Sequence, residues 1–150
     1  MAHVEVSAGT IEYDDTGGPG PVVVFVHGLL MDGAQWRQVV ANLRDEFRCV
    51  LPTLPMGAHQ WPMRPEADLS LRGLGRILTE FMDCLDLTDV TLCFNDWCGA
   101  QVMIADRGVE RVARLFLHHA RPLRITRPAF QGALPPLQPK RPVRSQLCAG

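Results

Sequence analysis

Residues 90–107 read VTLCFNDWCGAQVMIADR, and the architecture turns on them. Val90 to Phe94 is the apolar, β-branched pattern of a buried strand. Gly99 to Arg107 reads as a helix. Between them stands a single charged residue, Asp96, with Gly99 three positions on. A strand that enters a helix through so short a turn is the unit from which parallel sheets are built. The aspartate at that turn has two readings. It can cap the helix, for which its side chain is well suited. It can also be lifted clear of the sheet by a tight, strained turn and aimed into a cleft. That second setting is a nucleophile elbow, in which the next backbone N–H, here that of Trp97, can stabilise a developing oxyanion.

On both sides of it the sequence repeats the strand–helix grammar. Residues 3–6 and 10–13 read as two short strands, closed off by the Gly17-Gly18-Pro19-Gly20-Pro21 cluster. Val22 to Val26 (VVVFV) is a continuous run of the kind covered on both faces. From Gln35 to Arg44, Trp36, Val39, Val40 and Leu43 recur at helical spacing. Arg48 to Leu51 reads as a strand stopped by Pro52 and Pro55. Residues 56–67 read as loop, and Ser70 as an N-cap. Leu71, Leu74, Ile77, Leu78, Phe81, Met82 and Leu85 form the clearest helical stripe in the chain. Val112 to Leu117 reads as a further strand. The expectation is an α/β fold with a mostly parallel sheet and helices on its faces.

In such sheets ligands sit beyond the carboxyl ends of the strands. Three strand ends carry chemistry-bearing residues: His27-Gly28-Leu29, Asn95-Asp96-Trp97, and His118-His119. Taken alone, His27-Gly28 is a plain strand-to-loop turn. One strand–helix unit before an elbow, it is also where a second oxyanion donor belongs, the N–H after the glycine.

On these residues the chain resembles the α/β-hydrolases. Val22–Trp36 (VVVFVHGLLMDGAQW) is similar to their strand and oxyanion loop. Val90–Arg107 resembles the elbow of the members that use aspartate, the epoxide-hydrolase and haloalkane-dehalogenase branch. Val112–Leu117 (VARLFL) is similar to the strand that follows the elbow helix. The resemblance covers residues 1–117 and implies an α/β-hydrolase fold represented by its six N-terminal strands.

It also implies a hydrolase acting on a small organic substrate without a cofactor. Asp96 would be the nucleophile, forming an ester intermediate. The backbone N–H groups of Leu29 and Trp97 would line the oxyanion hole, with Gly28 and Asn95 supporting it. His27 would be a buried, structural residue. Leu29 stands where dehalogenases carry a polar residue, which argues for a family-level hydrolase over a dehalogenase. The histidine base and the helical cap of this family would lie beyond the length of this chain, so the resemblance implies a truncated and inactive hydrolase.

Charge divides the chain at the same place. Residues 1–120 hold all 16 acidic residues against 9 basic ones, and residues 121–150 hold 6 basic residues and no acidic one. The latter stretch carries 6 prolines and no sustained apolar period, so it reads as an Arg/Pro-rich irregular tail after the hydrolase part. With one lysine against 14 arginines in the chain, a shifted reading frame near residues 118–121 of a GC-rich gene would produce such a tail. The rival reading is a non-catalytic fragment or binding protein with a basic arm. The tail lacks the aromatic interleaving of a stacking surface, which disfavours nucleic acid as a partner.

With 47% hydrophobic residues the chain has material for a core. It shows no signal-peptide pattern and no apolar run long enough to span a bilayer, so a cytoplasmic protein without a membrane contact is expected. The five cysteines are expected as free thiols, and no metal-ligand spacing occurs. Six strands of a larger sheet would leave an edge through which copies could associate.

Overall fold

The computed structural model describes residues 1–96 and 110–118. The helix expected over 99–107, Trp97, His119 and the tail with its boundary at residue 120 lie outside the described residues.

One six-stranded sheet carries the fold, and its strands are β1 (Ala2–Val6), β2 (Gly9–Asp15), β3 (Val22–Val26), β4 (Arg48–Thr53), β5 (Val90–Asn95) and β6 (Val112–His118). In space they run β1-β2-β4-β3-β5-β6. β2 lies antiparallel to both β1 and β4, while β3 pairs parallel with β4 and β5, and β5 parallel with β6.

The two faces of β3 explain its unbroken apolar sequence. Val24 and Val26 enter a core under helix α2 (Leu71–Cys84), shared with Val50, Leu92 and Phe94. Val23 and Phe25 face the other way, onto Trp36, Cys49 and Leu51. That second layer is held by a short 3-10 turn (Gly33–Trp36) leading into helix α1 (Arg37–Leu43). Trp36 lies against Phe25 with ring centroids 5.1 Å apart.

Helix α2 matches the expected stripe. The Ser70 hydroxyl accepts the N–H of Gly73 at 3.1 Å, satisfying one of the donors a helix start leaves unpaired. Leu78, Phe81 and Met82 are fully buried, each contributing about 1.5–3 kcal/mol of apolar burial. Arg111 then fastens the start of β6 to the end of this helix. Its guanidinium pairs with Asp83 and donates to the Leu87 carbonyl at 2.9 Å. β6 is the edge strand of the described sheet, and Phe116 and Leu117 on it are exposed.

Three expectations are corrected. Pro52 does not stop β4, which runs on to Thr53. β3 pairs with β4 only as far as Val50, so Pro52 meets a ladder on one side alone, opposite Tyr13 of β2, where proline is tolerated. The helix expected from Gln35 begins as the tighter 3-10 turn because Asp32 caps at Ala34, accepting its N–H at 2.8 Å. Cys84 is disulfide-bonded, whereas Cys49 and Cys93 are free. Burial pushes the Cys93 thiol up to about 11, which makes it a packing residue and a poor nucleophile.

Candidate active site

Parallel pairing of β3 with β5, in the register Val26↔Phe94, brings two of the three chemistry-bearing strand ends side by side. His118 on β6 stands in register with Asn95, so the third end lies on the far side of β5.

Asp96 leaves β5 with φ +60° and is exposed. An L-residue in that left-handed region is held at a cost of about 1–2 kcal/mol, aspartate being among those that tolerate it best. A simple helix cap would have extended backbone instead. The turn is tight against its neighbour across the sheet. A Cβ built on Gly28 would stand 3.4 Å from both the Asn95 carbonyl oxygen and Asp96 Cβ, already at contact distance. Glycine at position 28 therefore lets the loop after β3 close onto the turn at Asp96.

That loop is fixed by backbone hydrogen bonds. Leu30, itself at φ +60°, donates its N–H to the Met56 carbonyl at 2.8 Å, and Met31 donates to the Gly28 carbonyl at 3.2 Å. Among the described residues the Leu29 N–H has no backbone acceptor. It is a donor of this turn open to a ligand, and Leu29 is partly exposed. Such a preset donor is what an oxyanion site requires.

His27 is held on both sides. Its Nε2 accepts the Leu54 N–H at 2.8 Å, and its Nδ1 donates to the Gly28 carbonyl at 2.8 Å. These contacts fix the tautomer, with the proton on Nδ1. Burial lowers its pKa below the usual imidazole value, outweighing the opposing hydrogen bond to Gly28 and the charge of Asp32. Both nitrogens are committed and the ring is 4% exposed, so His27 ties the loops after β3 and β4 together and does not face the cleft.

Two supporting residues escape sequence reading. The Asn95 amide donates to the Gln35 side-chain carbonyl at 2.9 Å, linking β5 to the 3-10 turn. The Nε2 of Gln35 is buried without a partner among the described residues, so the link rests on its carbonyl alone. Gly57 packs directly on the His27 ring, where a side chain would not fit. The Gly-bearing turn Pro55-Met56-Gly57 was a visible signal; the Gln35 contact, from a residue inside a helical pattern, was not. Beside Leu29 the described residues enclose a hollow of only about 20 Å³, room for about one water. Among the described residues no cluster of His, Cys, Asp or Glu is placed to hold a metal, and no helix is long and apolar enough to cross a membrane.

No protein-family profile matches the chain. It is 32% identical over 123 residues to a haloalkane dehalogenase of Mesorhizobium japonicum, covering 81% of this chain and 39% of that protein. It is 30% identical over 144 residues to a cis-3-alkyl-4-alkyloxetan-2-one decarboxylase of Xanthomonas campestris pv. campestris, covering 91% of this chain and 44% of that protein. Among solved structures it is similar to a putative ancestral haloalkane dehalogenase, with TM-score 0.65 and 28% identity over 78% of this chain and 41% of that one. The chain spans about two-fifths of the length of the curated relatives it matches.

Proposed function

We propose, for a chain with the α/β-hydrolase fold and relatives among the haloalkane dehalogenases, that it is a hydrolase-type protein in which Asp96 is the nucleophile toward a small organic electrophile. The observation that carries this reading is the conformation of Asp96. It is exposed at the end of β5 at φ +60°, with Gly28 drawn up against it. A strained, exposed carboxylate supported by a neighbouring loop fits a nucleophile better than a cap.

In the proposed first step a carboxylate oxygen of Asp96 attacks the electrophilic carbon. The bond from that carbon to its leaving group breaks, the leaving group takes the electron pair, and an ester forms on Asp96. In the second step water adds to the ester carbonyl. The Leu29 N–H, with that of Trp97, steadies the oxyanion. This step needs a base to take the proton of the water. His27 does not offer one, being committed at both nitrogens, and His59 Nε2 is bonded to the Thr10 carbonyl at 2.8 Å. We infer that ester formation on Asp96 does not depend on that base, whereas hydrolysis of the ester does.

Intact-mass spectrometry tests the reading. The folded chain is incubated with a panel of epoxides, haloalkanes and activated esters, and peptide mapping locates any adduct. A long-lived mass increase on Asp96, absent from Asp96→Asn, is expected. No adduct from folded protein, or one that persists in the variant, overturns it.

A further inference from the structure

A cavity of about 870 Å³ opens on the α1 face of the sheet, and Asp96 is not among its walls. Strand alternation explains what points into it. Ile11 and Tyr13 of β2 pack into the core under α2, so Glu12 and Asp14 point the opposite way. Glu12 stands directly opposite Thr53 of β4 in the sheet register, with their Cβ atoms about 4.5–5.5 Å apart. Both side chains line the cavity and both are deeply buried, Glu12 at 6% exposure and Thr53 at 3%. Beyond the backbone ladder, no side-chain hydrogen bond or ion pair ties either of them to a described residue. Neither has a polar atom closed off from solvent, so their oxygens open onto the cavity.

A carboxylate set this deep in a cavity wall, without a side-chain partner in the protein, is complemented by a cation and hydrogen-bond donors from outside. The walls indicate which cation. A metal ion is disfavoured, since among the described residues no three suitable side chains converge. An ammonium is favoured, because its three N–H donors can meet the Glu12 carboxylate and the Thr53 hydroxyl together, and Asp14 and Asp15 on the walls add negative charge. Leu51 and Val40 add apolar surface for a short stem. Arg37 and Arg44, exposed on the wall, oppose an extended polycation by like-charge repulsion.

We propose that this cavity binds a small primary alkylammonium ion, its nitrogen donating to the Glu12 carboxylate and the Thr53 hydroxyl. The proposal is independent of Asp96 and of any chemistry there.

Titration calorimetry of the full chain with n-butylammonium chloride tests it, with amide NMR shifts to locate the contact. The neutral isostere 1-butanol and matched sodium chloride serve as controls. Expected are saturable binding, shifts centred on Glu12 and Thr53, and no response to the alcohol. Glu12→Gln should weaken binding about tenfold or more through loss of the charge-assisted bond. Thr53→Val should weaken it about threefold, for one neutral hydrogen bond. Equal binding of the alcohol, unchanged affinity in Glu12→Gln, or no saturable binding overturns the proposal. Should Glu12→Gln fail to fold, Thr53→Val decides: unchanged affinity there, with no shift at Glu12 in the parent chain, overturns it as well.

Discussion

Replacing Gly57 with alanine should loosen the candidate oxyanion loop from a position that touches no substrate. Gly57 has ordinary backbone angles, so its requirement is one of space. An added Cβ would fall 2.1 Å from His27 Cε1, 2.4 Å from the Met31 carbonyl oxygen and 2.7 Å from His27 Nε2. The imidazole cannot turn aside cheaply, because Leu54 N–H holds one nitrogen and the Gly28 carbonyl the other. Overpacking of this kind costs about 1–3 kcal/mol. Losing the two His27 hydrogen bonds adds about 1 kcal/mol each. A total of about 3–5 kcal/mol corresponds to a fall in Tm of about 10–20 °C for a domain of this size.

Scanning calorimetry of Gly57→Ala, His27→Ala and the double variant measures it. His27→Ala alone opens space for the methyl, so the double variant should be more stable than the sum of the single losses predicts, by about 1 kcal/mol or more. A Tm within about 3 °C of the parent, or strictly additive losses, would show that Gly57 is not held to glycine by the His27 ring.

The strain at Asp96 predicts an inverted ranking of two small residues. At φ +60° Asp96→Gly should be more stable than Asp96→Ala by about 0.5–1 kcal/mol, the reverse of their order in ordinary backbone. Urea denaturation of the two variants reads this, and alanine equal to or above glycine would contradict the assigned turn. His27 predicts a pH dependence. Its folded pKa is depressed below 6.5 by burial, so the unfolded chain takes up a proton that the folded chain resists. The stabilisation is fully present above pH 6.5 and is lost as pH falls from there toward the depressed folded value. Stability measured in urea at about pH 7.5 and about pH 5.5 should fall with acid, and His27→Gln should flatten that part of the slope. An unchanged slope in the variant would place the titrating group elsewhere.

Much of the scaffold is legible in the sequence because its physics is local. VVVFV reads as a strand covered on both faces, and the Leu71–Leu85 stripe with Ser70 ahead of it as a capped amphipathic helix, and both form. The strand-end placement of Asp96 was legible for the same reason. The end of β4 was not, since Pro52 breaks a strand in isolation and is tolerated only where a one-sided ladder receives it. Left-handed angles at Leu30 and Met56 were hidden too, because neither residue type favours them and contacts between distant loops impose them. Glu12 shows the limit most clearly. A strand that alternates apolar and charged residues reads as half solvated, yet the charge lies in a cavity beneath α1 that tertiary packing creates. The Gln35–Asn95 contact likewise joins residues 60 positions apart.

The position of β3 in the sheet has a consequence for synthesis on the ribosome. Its two neighbours are β4, ending at Thr53, and β5, which begins only at Val90 and ends at Asn95. At roughly 5–20 residues per second, the about 40 residues between them take about 2–8 s to emerge. For that interval one side of the most apolar strand in the sheet has no partner. The segment emerging meanwhile cannot usurp the place. Pro55, Pro62 and Pro65 deny it a continuous strand. Helix α2, the next element to emerge, settles on a face and leaves the waiting edge free for β5.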